Sequence, residues 1–374
     1  MKPTKQLLLI SIFSVVPSAQ AGLQPLLDSD LTNQSLYASS YITMGARTTA
    51  GGNIQSVTAI TLAANATIGG NIEAGTTATL GADAGADGYI EAGTTATFGA
   101  AVIVGGYTLA GTTATLGAAV NIEGDLVART TVTIDAGVEV WGDVLAGSTV
   151  TIGAGSIFRG DVDAGTTTTI GAGVRIDGTL TANSSKVVPA SPIVQNQEDL
   201  IASVQKTLKE LGTGTELVSL TFGINHETLE AGIYSTRDYL TIAADKTLTL
   251  DGKGVDGTWV FNIANYLTFA AGAKVILKDV TENSSILWNV LGDATGSAGY
   301  TSLGAGAEAI GYIFSRGYVL AGANTLIAGI GNDCGGAFSA TNYIEFGADS
   351  VIGMEGCVSN FIPPNKVPSI IWLF

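Results

Sequence analysis

Apolar residues recur two positions apart, three times in every 18 residues, through the first half of the chain. Glycine follows the same 18-residue step at Gly75, Gly93, Gly111, Gly147 and Gly165. Alternation with a period of two is typical of β-strands, and a repeat of constant length is typical of stacked architectures. Three short strands per repeat, each followed by a corner, therefore predict a regular three-sided β-solenoid over residues 36–185.

Threonine occupies two outward positions of one predicted strand in six successive repeats, on either side of inward residues such as Ala78. The twelve residues are Thr77, Thr79, Thr95, Thr97, Thr113, Thr115, Thr131, Thr133, Thr149, Thr151, Thr167 and Thr169. Stacked strands lie about 4.8 Å apart and alternate residues of one strand about 6.6 Å apart, so these side chains predict a flat, uncharged grid. Outward positions of another face, such as Gly85, Ile103 and Glu139, vary freely, so the fold itself does not require threonine.

The 18-residue repeat stops at Val187, and a helical pattern follows. Leu200, Val204, Leu208 and Leu211 form an apolar stripe at helical spacing, with Asn196 as a candidate cap and Gly212 as a terminator. After residue 217 strands resume, but without a constant period. The predicted fold class is thus dominated by β-structure: two β-solenoids, one regular and one irregular, with one α-helix packed alongside.

The second half of the chain resembles the microbial ice-binding protein family over residues 192–358. The helix and four strand motifs after it follow that family's order: Leu229–Tyr234, Leu248–Gly252, Trp259–Ile263 and Leu287–Val290. The resemblance implies a discontinuous β-solenoid flanked by one α-helix, with ice as the ligand. Ala231 departs from the family's usual proline, and the long regular repeat is not typical of the family.

The regular repeat resembles a different family, the bactofilins, in the phrases Trp141–Val144 and Arg159–Val162. Bactofilins are right-handed solenoids with the same period, so this resemblance implies right-handed coils. It leaves the role of the threonines open.

Two functions remain for the threonine grid. In the first, the protein adsorbs to ice through the Thr-x-Thr face and inhibits ice growth or recrystallisation, because a lattice of stiff β-branched side chains loses little rotamer entropy on ordering water. Thr-x-Thr ladders on β-solenoids also resemble the ice-binding faces of insect antifreeze proteins. In the alternative, the first half is a structural or adhesive extracellular solenoid, a polymer or spacer, and its threonines only stabilise stacked strands.

The irregular half carries a shorter outward column that is a second candidate ice face: Thr241, Thr268 and Ser302. Five tyrosines accompany it, and we expect them to pack rather than bind: Tyr239, Tyr266, Tyr300, Tyr318 and Tyr343.

Composition argues against other ligands. The net charge is −16 and only 13% of residues are charged, so no basic stripe is present to bind nucleic acid. No nucleotide-binding motif, catalytic constellation or metal-ligand cluster is found, and His226 is the single histidine. We expect no enzymatic activity, cofactor or metal. Cys334 and Cys357 either form one disulfide or remain buried thiols.

The amino terminus has the pattern of an export signal. Lys2 and Lys5 precede an apolar stretch and a small-x-small site at Ala19–Ala21, so residues 1–21 predict a signal peptide and a secreted or cell-surface protein without a membrane span in the mature chain. The predicted organisation continues with a lead-in or cap at 22–35, the regular solenoid at 36–185 and a linker with helix at 186–216. A discontinuous solenoid at 217–358 and a tail at 359–374 complete it.

Overall fold

The computed structural model describes residues 34–192, 194, 196–218, 221–222, 228–292, 299–331 and 333–353. These residues form three parallel β-sheets and one α-helix, α1 (Glu198–Glu210). Each coil of the chain contributes one strand to each sheet, so the three sheets are the three sides of a solenoid. The predicted fold class is confirmed. The handedness of the coils stays a prediction.

We call the three sheets the helix sheet, the threonine sheet and the charged sheet. The first is named after the helix that covers it, and the other two are named after their outward residues. The strands are given in stacking order. The helix sheet comprises Leu180–Ala182, Val162–Ala164, Val144–Ala146, Leu126–Ala128, Thr108–Ala110, Ile90–Ala92, Ile72–Ala74, Asn53–Ser56, Gln34–Ala38, Gly336–Ser339, Tyr312–Ser315, Ser285–Val290, Thr258–Ile263, Gly232–Thr236 and Thr215–Glu216. The threonine sheet comprises Thr167–Ile170, Thr149–Ile152, Thr131–Ile134, Thr113–Leu116, Thr95–Phe98, Thr77–Leu80, Ala59–Leu62, Ile42–Met44, Ile344–Phe346, Val319–Ala321, Thr301–Leu303, Leu267–Phe269, Leu240–Ile242 and Thr221–Phe222. The charged sheet comprises Arg175–Ile176, Ile157–Phe158, Glu139–Val140, Asn121–Ile122, Ile103–Val104, Gly85–Ala86, Thr67–Ile68, Thr49–Ala50, Val351–Ile352, Leu326–Ala328, Glu308–Ile310, Lys274–Lys278, Thr247–Asp251 and Thr228–Glu230.

The two predicted solenoids are one continuous stack. Gln34–Ala38, from the first coil of the chain, pairs on one side with Asn53–Ser56 and on the other with Gly336–Ser339. The other two sheets cross the same junction, where Ile42 pairs with Ile344 and Thr49 with Val351. From residue 34, in the middle of the stack, the described chain builds outward to residue 182, returns along the side, and builds inward from the opposite end.

The core is a set of inward columns that the 18-residue period keeps aligned. Ala78, Ala96, Ala114, Val132 and Val150 occupy successive coils at one inward position, and each is at most 1% exposed. In-register stacking places each apolar side chain on the equivalent side chain of the next coil, so each coil buries apolar area only against its neighbours.

At one corner the backbone is left-handed in eight successive coils, from Arg47 (φ 57°) to Gly173 (φ 68°).

The return segment, which we define as the described residues of 183–197, runs down the helix sheet. Lys186 forms an ion pair with Asp163 at 2.5 Å, and the Ser191 hydroxyl donates to the Gly111 carbonyl at 3.3 Å. The Asn196 side chain accepts hydrogen bonds from the Tyr37 hydroxyl at 2.8 Å and the Glu198 N–H at 2.9 Å. The predicted cap thus contacts the start of α1.

Helix α1 then covers the helix sheet in the second half of the stack. Its buried residues are Ile201, Val204, Gln205 and Leu208, packed with Val260, Leu287 and Phe314. The predicted stripe was wrong at one position, because Leu211 is 46% exposed; Leu200 is half-buried and packs against the same cluster. The helix ends at Glu210, before Leu211 reaches the sheet, and Ile201 takes the inward position. The side chain of Gln205 donates to the carbonyls of Val290 and Phe314.

Several sequence predictions lie outside the described residues. These are the signal peptide at 1–21, most of the lead-in at 22–35, His226, Cys357 and the tail at 359–374. In the part of the chain that is described, no helix is both long and apolar enough to span a membrane.

Candidate functional site

The twelve predicted threonines lie on one sheet, in two straight columns. Thr95 pairs with Thr77 and Thr113, and Thr97 pairs with Thr79 and Thr115. The same register continues to the last coil, where Thr149 pairs with Thr167 and Thr151 with Thr169. The residues between them, such as Ala96 and Val132, are buried, so both threonines of each strand point outward. We call this arrangement the threonine grid.

The hydroxyl groups of the grid are nearly all unengaged by the protein. Thr149 donates to Thr131 at 3.3 Å, and the other ten of the twelve hydroxyls have no hydrogen-bond partner among the described residues. These groups are therefore available to bound water across the whole face.

A third threonine column, at the neighbouring corner, behaves in the opposite way. Its hydroxyls donate to the carbonyl of the equivalent residue one coil earlier: Thr76 to Thr58 at 2.9 Å, Thr94 to Thr76 at 2.8 Å, Thr112 to Thr94 at 2.7 Å, Thr130 to Thr112 at 2.6 Å and Thr166 to Ser148 at 2.9 Å. This corner column stabilises the stacking of the coils. The contrast separates threonines that serve the fold from those that do not.

One grid column runs the length of the threonine sheet. It continues from Thr79 through Thr61 and Thr43, passes Glu345 and Leu320, and resumes at the second predicted column. Ser302, Thr268 and Thr241 follow in register. The two predicted faces are thus parts of the same side of the molecule, separated by one carboxylate and one leucine.

The other grid column changes into a tyrosine ridge. Beyond Thr77 and Ala59 the equivalent position holds Tyr41, which stacks on Tyr343 with ring centroids 4.9 Å apart. Tyr318, Tyr300, Tyr266 and Tyr239 continue the ladder at 5.0–5.3 Å. The sequence predicts that these tyrosines pack, and their rings do stack on one another. Sequence reasoning missed that they share the threonines' column; the signal was Tyr41, which stands 18 residues before Ala59.

The ridge makes the two halves of the sheet different in relief. In the first half both outward columns are short threonines, whereas in the second half a row of phenol rings borders one column of Glu345, Leu320, Ser302, Thr268 and Thr241. Four phenols of the ridge are held in the neutral form: partial burial raises the pKa of Tyr266, Tyr300 and Tyr318, and burial with the hydrogen bond to Glu345 raises the pKa of Tyr41 to about 12. The flat two-column grid is confined to the six strands from Thr77–Leu80 to Thr167–Ile170.

The other two sheets do not offer a comparable surface. The helix sheet is covered by α1 and the return segment. The charged sheet carries ion pairs such as Arg159–Glu139 at 2.8 Å and Lys274–Glu308 at 2.6 Å, with Trp141 exposed beside Arg159. Among the described residues, the threonine sheet alone combines an uncovered face with two outward columns that carry no charge from Thr77 to Thr169.

The acidic residues serve the fold. Asp125 and Asp143 accept the backbone N–H one coil later, each at 2.8 Å. Burial raises the pKa of Asp125, and the hydrogen bond that it accepts from the Asp143 N–H acts in the opposite direction. Among the described residues no group of three or more His, Cys, Asp or Glu side chains could hold a metal ion.

Cys334 is the one cysteine within the described residues. It is buried and is not a free thiol. Its predicted partner, Cys357, lies outside them, so the pairing stays a prediction.

The second half of the chain is similar to a known protein family. Residues 188–351 match the family model described as ice-binding-like. No curated protein matches the chain. The family match and the open threonine face concern the same stack, because residues 319–346 and 42–80 contribute neighbouring strands to one sheet.

Solved structures of ice-binding proteins are similar to this chain at low identity. One from the Antarctic ascomycete Antarctomyces psychrotrophicus is 20% identical, covering 62% of this chain and 94% of its own, with a TM-score of 0.34. One from Shewanella frigidimarina is 18% identical, covering 60% and 92%, with a TM-score of 0.34. One from an Antarctic bacterium of the Flavobacteriaceae is 13% identical, covering 89% and 98%, with a TM-score of 0.35.

Proposed function

Starting from an ice-binding-like segment at residues 188–351, we propose that this protein is secreted and adsorbs to ice through the threonine grid. The carrying observation is that ten of the twelve grid hydroxyls have no partner among the described residues, whereas the adjacent corner threonines donate to backbone carbonyls. Secretion rests on the export signal predicted at residues 1–21, and inhibition of ice growth follows from adsorption. No bond is made or broken.

The grid suits an ordered solid for physical reasons. Each threonine has a restricted χ1, and five of the six grid strands are paired on both sides, so little conformational entropy is lost when the hydroxyls and methyls order water. The spacings of about 4.8 Å along the stack and about 6.6 Å across it recur without interruption through six coils. Affinity comes from many small matched contacts, and growth of the crystal is then confined to curved fronts between adsorbed molecules.

The decisive test compares two double variants for ice shaping in a nanolitre osmometer. Thr113→Tyr with Thr131→Tyr places two rings on the grid, and the native stack of Tyr266 on Tyr300 shows that this sheet accommodates neighbouring tyrosines. We expect ice shaping and freezing-point depression to be lost, because the rings stand above the plane. Circular dichroism checks that both variants are folded.

The matched control introduces the same side chains on the charged sheet. Ile103→Tyr with Ile157→Tyr changes outward positions in coils of the same repeat, and activity should be unchanged. Activity retained by the grid variant would move the ice face to the column of Thr241, Thr268 and Ser302. Wild-type protein that leaves ice growth unaffected would contradict the proposal and favour a structural or adhesive solenoid.

A further inference from the structure

The outer end of the regular repeat is an open coil. Its strands Thr167–Ile170, Arg175–Ile176 and Leu180–Ala182 are the terminal strands of all three sheets, each paired on one side only. Unpaired strand edges carry free N–H and C=O groups that are available to a further strand. Three such edges surround one exposed cross-section of the core.

Inward side chains that are buried elsewhere are exposed in this coil. Ile170 is 38% exposed, whereas its equivalent Ile152 is 2% exposed. Leu180 is 46% exposed, and its equivalent Val162 is completely buried. The 18-residue repeat thus puts apolar residues where a next coil would cover them, but none of the described residues forms a next coil.

The chain that follows does not cover this end. Ser184 donates its N–H to the Ala164 carbonyl at 2.9 Å, one coil back, and Lys186 reaches Asp161 and Asp163. The return segment therefore leaves the end immediately, and no other described residue lies over the open coil.

The end is also electrically neutral, unlike the protein as a whole. Within residues 165–182 the charged side chains are Arg175 and Asp177, which form an ion pair at 2.7 Å. The net charge of −16 is therefore carried elsewhere and opposes association least at this surface.

We propose that the open coil docks on the open coil of a second copy of this chain. A partner that covers the three edge strands and the apolar core between them must itself have three edge strands around a cross-section of equal size. The open coil of a second copy is a surface of this kind. A two-fold axis perpendicular to the stack brings the edge strands together antiparallel. The contact is then isologous and closes at a dimer, because it uses the same end of both copies. The opposite end of the stack also has edge strands, Thr215–Glu216, Thr221–Phe222 and Thr228–Glu230, but its inward Phe222 is 1% exposed, so its core is not open in the same way.

Sedimentation equilibrium of the mature protein tests this proposal. We expect a reversible dimer, and Leu180→Arg should weaken association at least tenfold by burying an unpaired charge at the contact. Ile103→Arg, an equally exposed side-wall position four coils away, is the control and should leave dimerisation unchanged. Because Leu180→Arg could also disturb the last coil, amide exchange of wild-type residues 167–182 is measured as well and should slow as protein concentration rises.

The other outcomes overturn the proposal. A monomer at all concentrations, with fast exchange at residues 167–182, means that the end is open in solution. A monomer with slow exchange that becomes fast after removal of residues 354–374 assigns the end to the tail. Growth beyond the dimer means that the contact is not two-fold. None of these measurements involves ice, so they test the dimer independently of the proposed function.

Discussion

At the residue scale, the same amino acid has different roles according to its column. Threonines of the grid point into solvent and those of the corner column hold the backbone, but Thr108 points into the core. It stands between Ile90 and Leu126 in an inward column of the helix sheet and is completely buried. Its hydroxyl has no hydrogen-bond partner among the described residues. A buried hydroxyl without a partner costs about 1–3 kcal/mol.

Thr108→Val should therefore stabilise the protein. Valine has almost the same shape, so the core keeps its packing while the desolvated hydroxyl is removed, and the free energy of unfolding should rise by about 1 kcal/mol or more. Chemical denaturation measures the difference. Thr112→Val, which removes a corner hydroxyl bonded to Thr94, is the control and should destabilise by about 1 kcal/mol. A loss of stability in Thr108→Val would show that the hydroxyl is satisfied in solution.

At the element scale, charged side chains fasten neighbouring strands of the charged sheet. The Asp251 carboxylate is buried and accepts from Lys278 Nζ at 2.7 Å, and Lys253 Nζ lies 3.1 Å away. The hydrogen bond from Lys278 is the largest of several that lower the pKa of Asp251 to about 2. This carboxylate therefore links Thr247–Asp251 to Lys274–Lys278 only while it is ionised.

The sign of the pH effect follows from the lowered pKa. Between about pH 4 and pH 2 an unfolded chain binds a proton at Asp251 and the folded chain does not, so stability rises with pH and is lost as pH falls. We expect the thermal midpoint to drop over that window and Asp251→Asn to flatten the dependence. Asp135→Asn, at an exposed corner, is the control. An identical pH profile for wild type and Asp251→Asn would contradict the assigned role.

At the scale of the whole molecule, the charged side chains and the proposed ice-binding face are separated. The grid columns contain no charged side chain from Thr77 to Thr169, while acids and bases lie on the charged sheet and at the corners. Adsorption should therefore be nearly constant from about pH 5 to pH 9 and should change little with salt. Ice-recrystallisation assays across that range measure this. A steep dependence on either variable would point to the charged sheet.

The sequence alone determined the repeat itself. Period-two alternation decides which side chains face the core, and the constant 18-residue step decides which residues stack, so the threonine grid could be read from residues 77–169 directly. Helix α1 was also evident, and its contact face was predicted in part. Val204 and Leu208 of the predicted stripe are buried, whereas Leu211 lies beyond the last helical residue, Glu210.

Only the tertiary structure decided how the two halves meet. Ile42 and Ile344 are 302 positions apart, and coils of variable length in the second half leave no periodic trace of their pairing. That contact puts the tyrosine ridge in the same column as the grid, and it places both predicted threonine columns on one side of the molecule. It also leaves the outermost repeat without a neighbour. Local periodicity determines what each coil presents, whereas long-range strand pairing determines which coils lie next to each other and which one remains open.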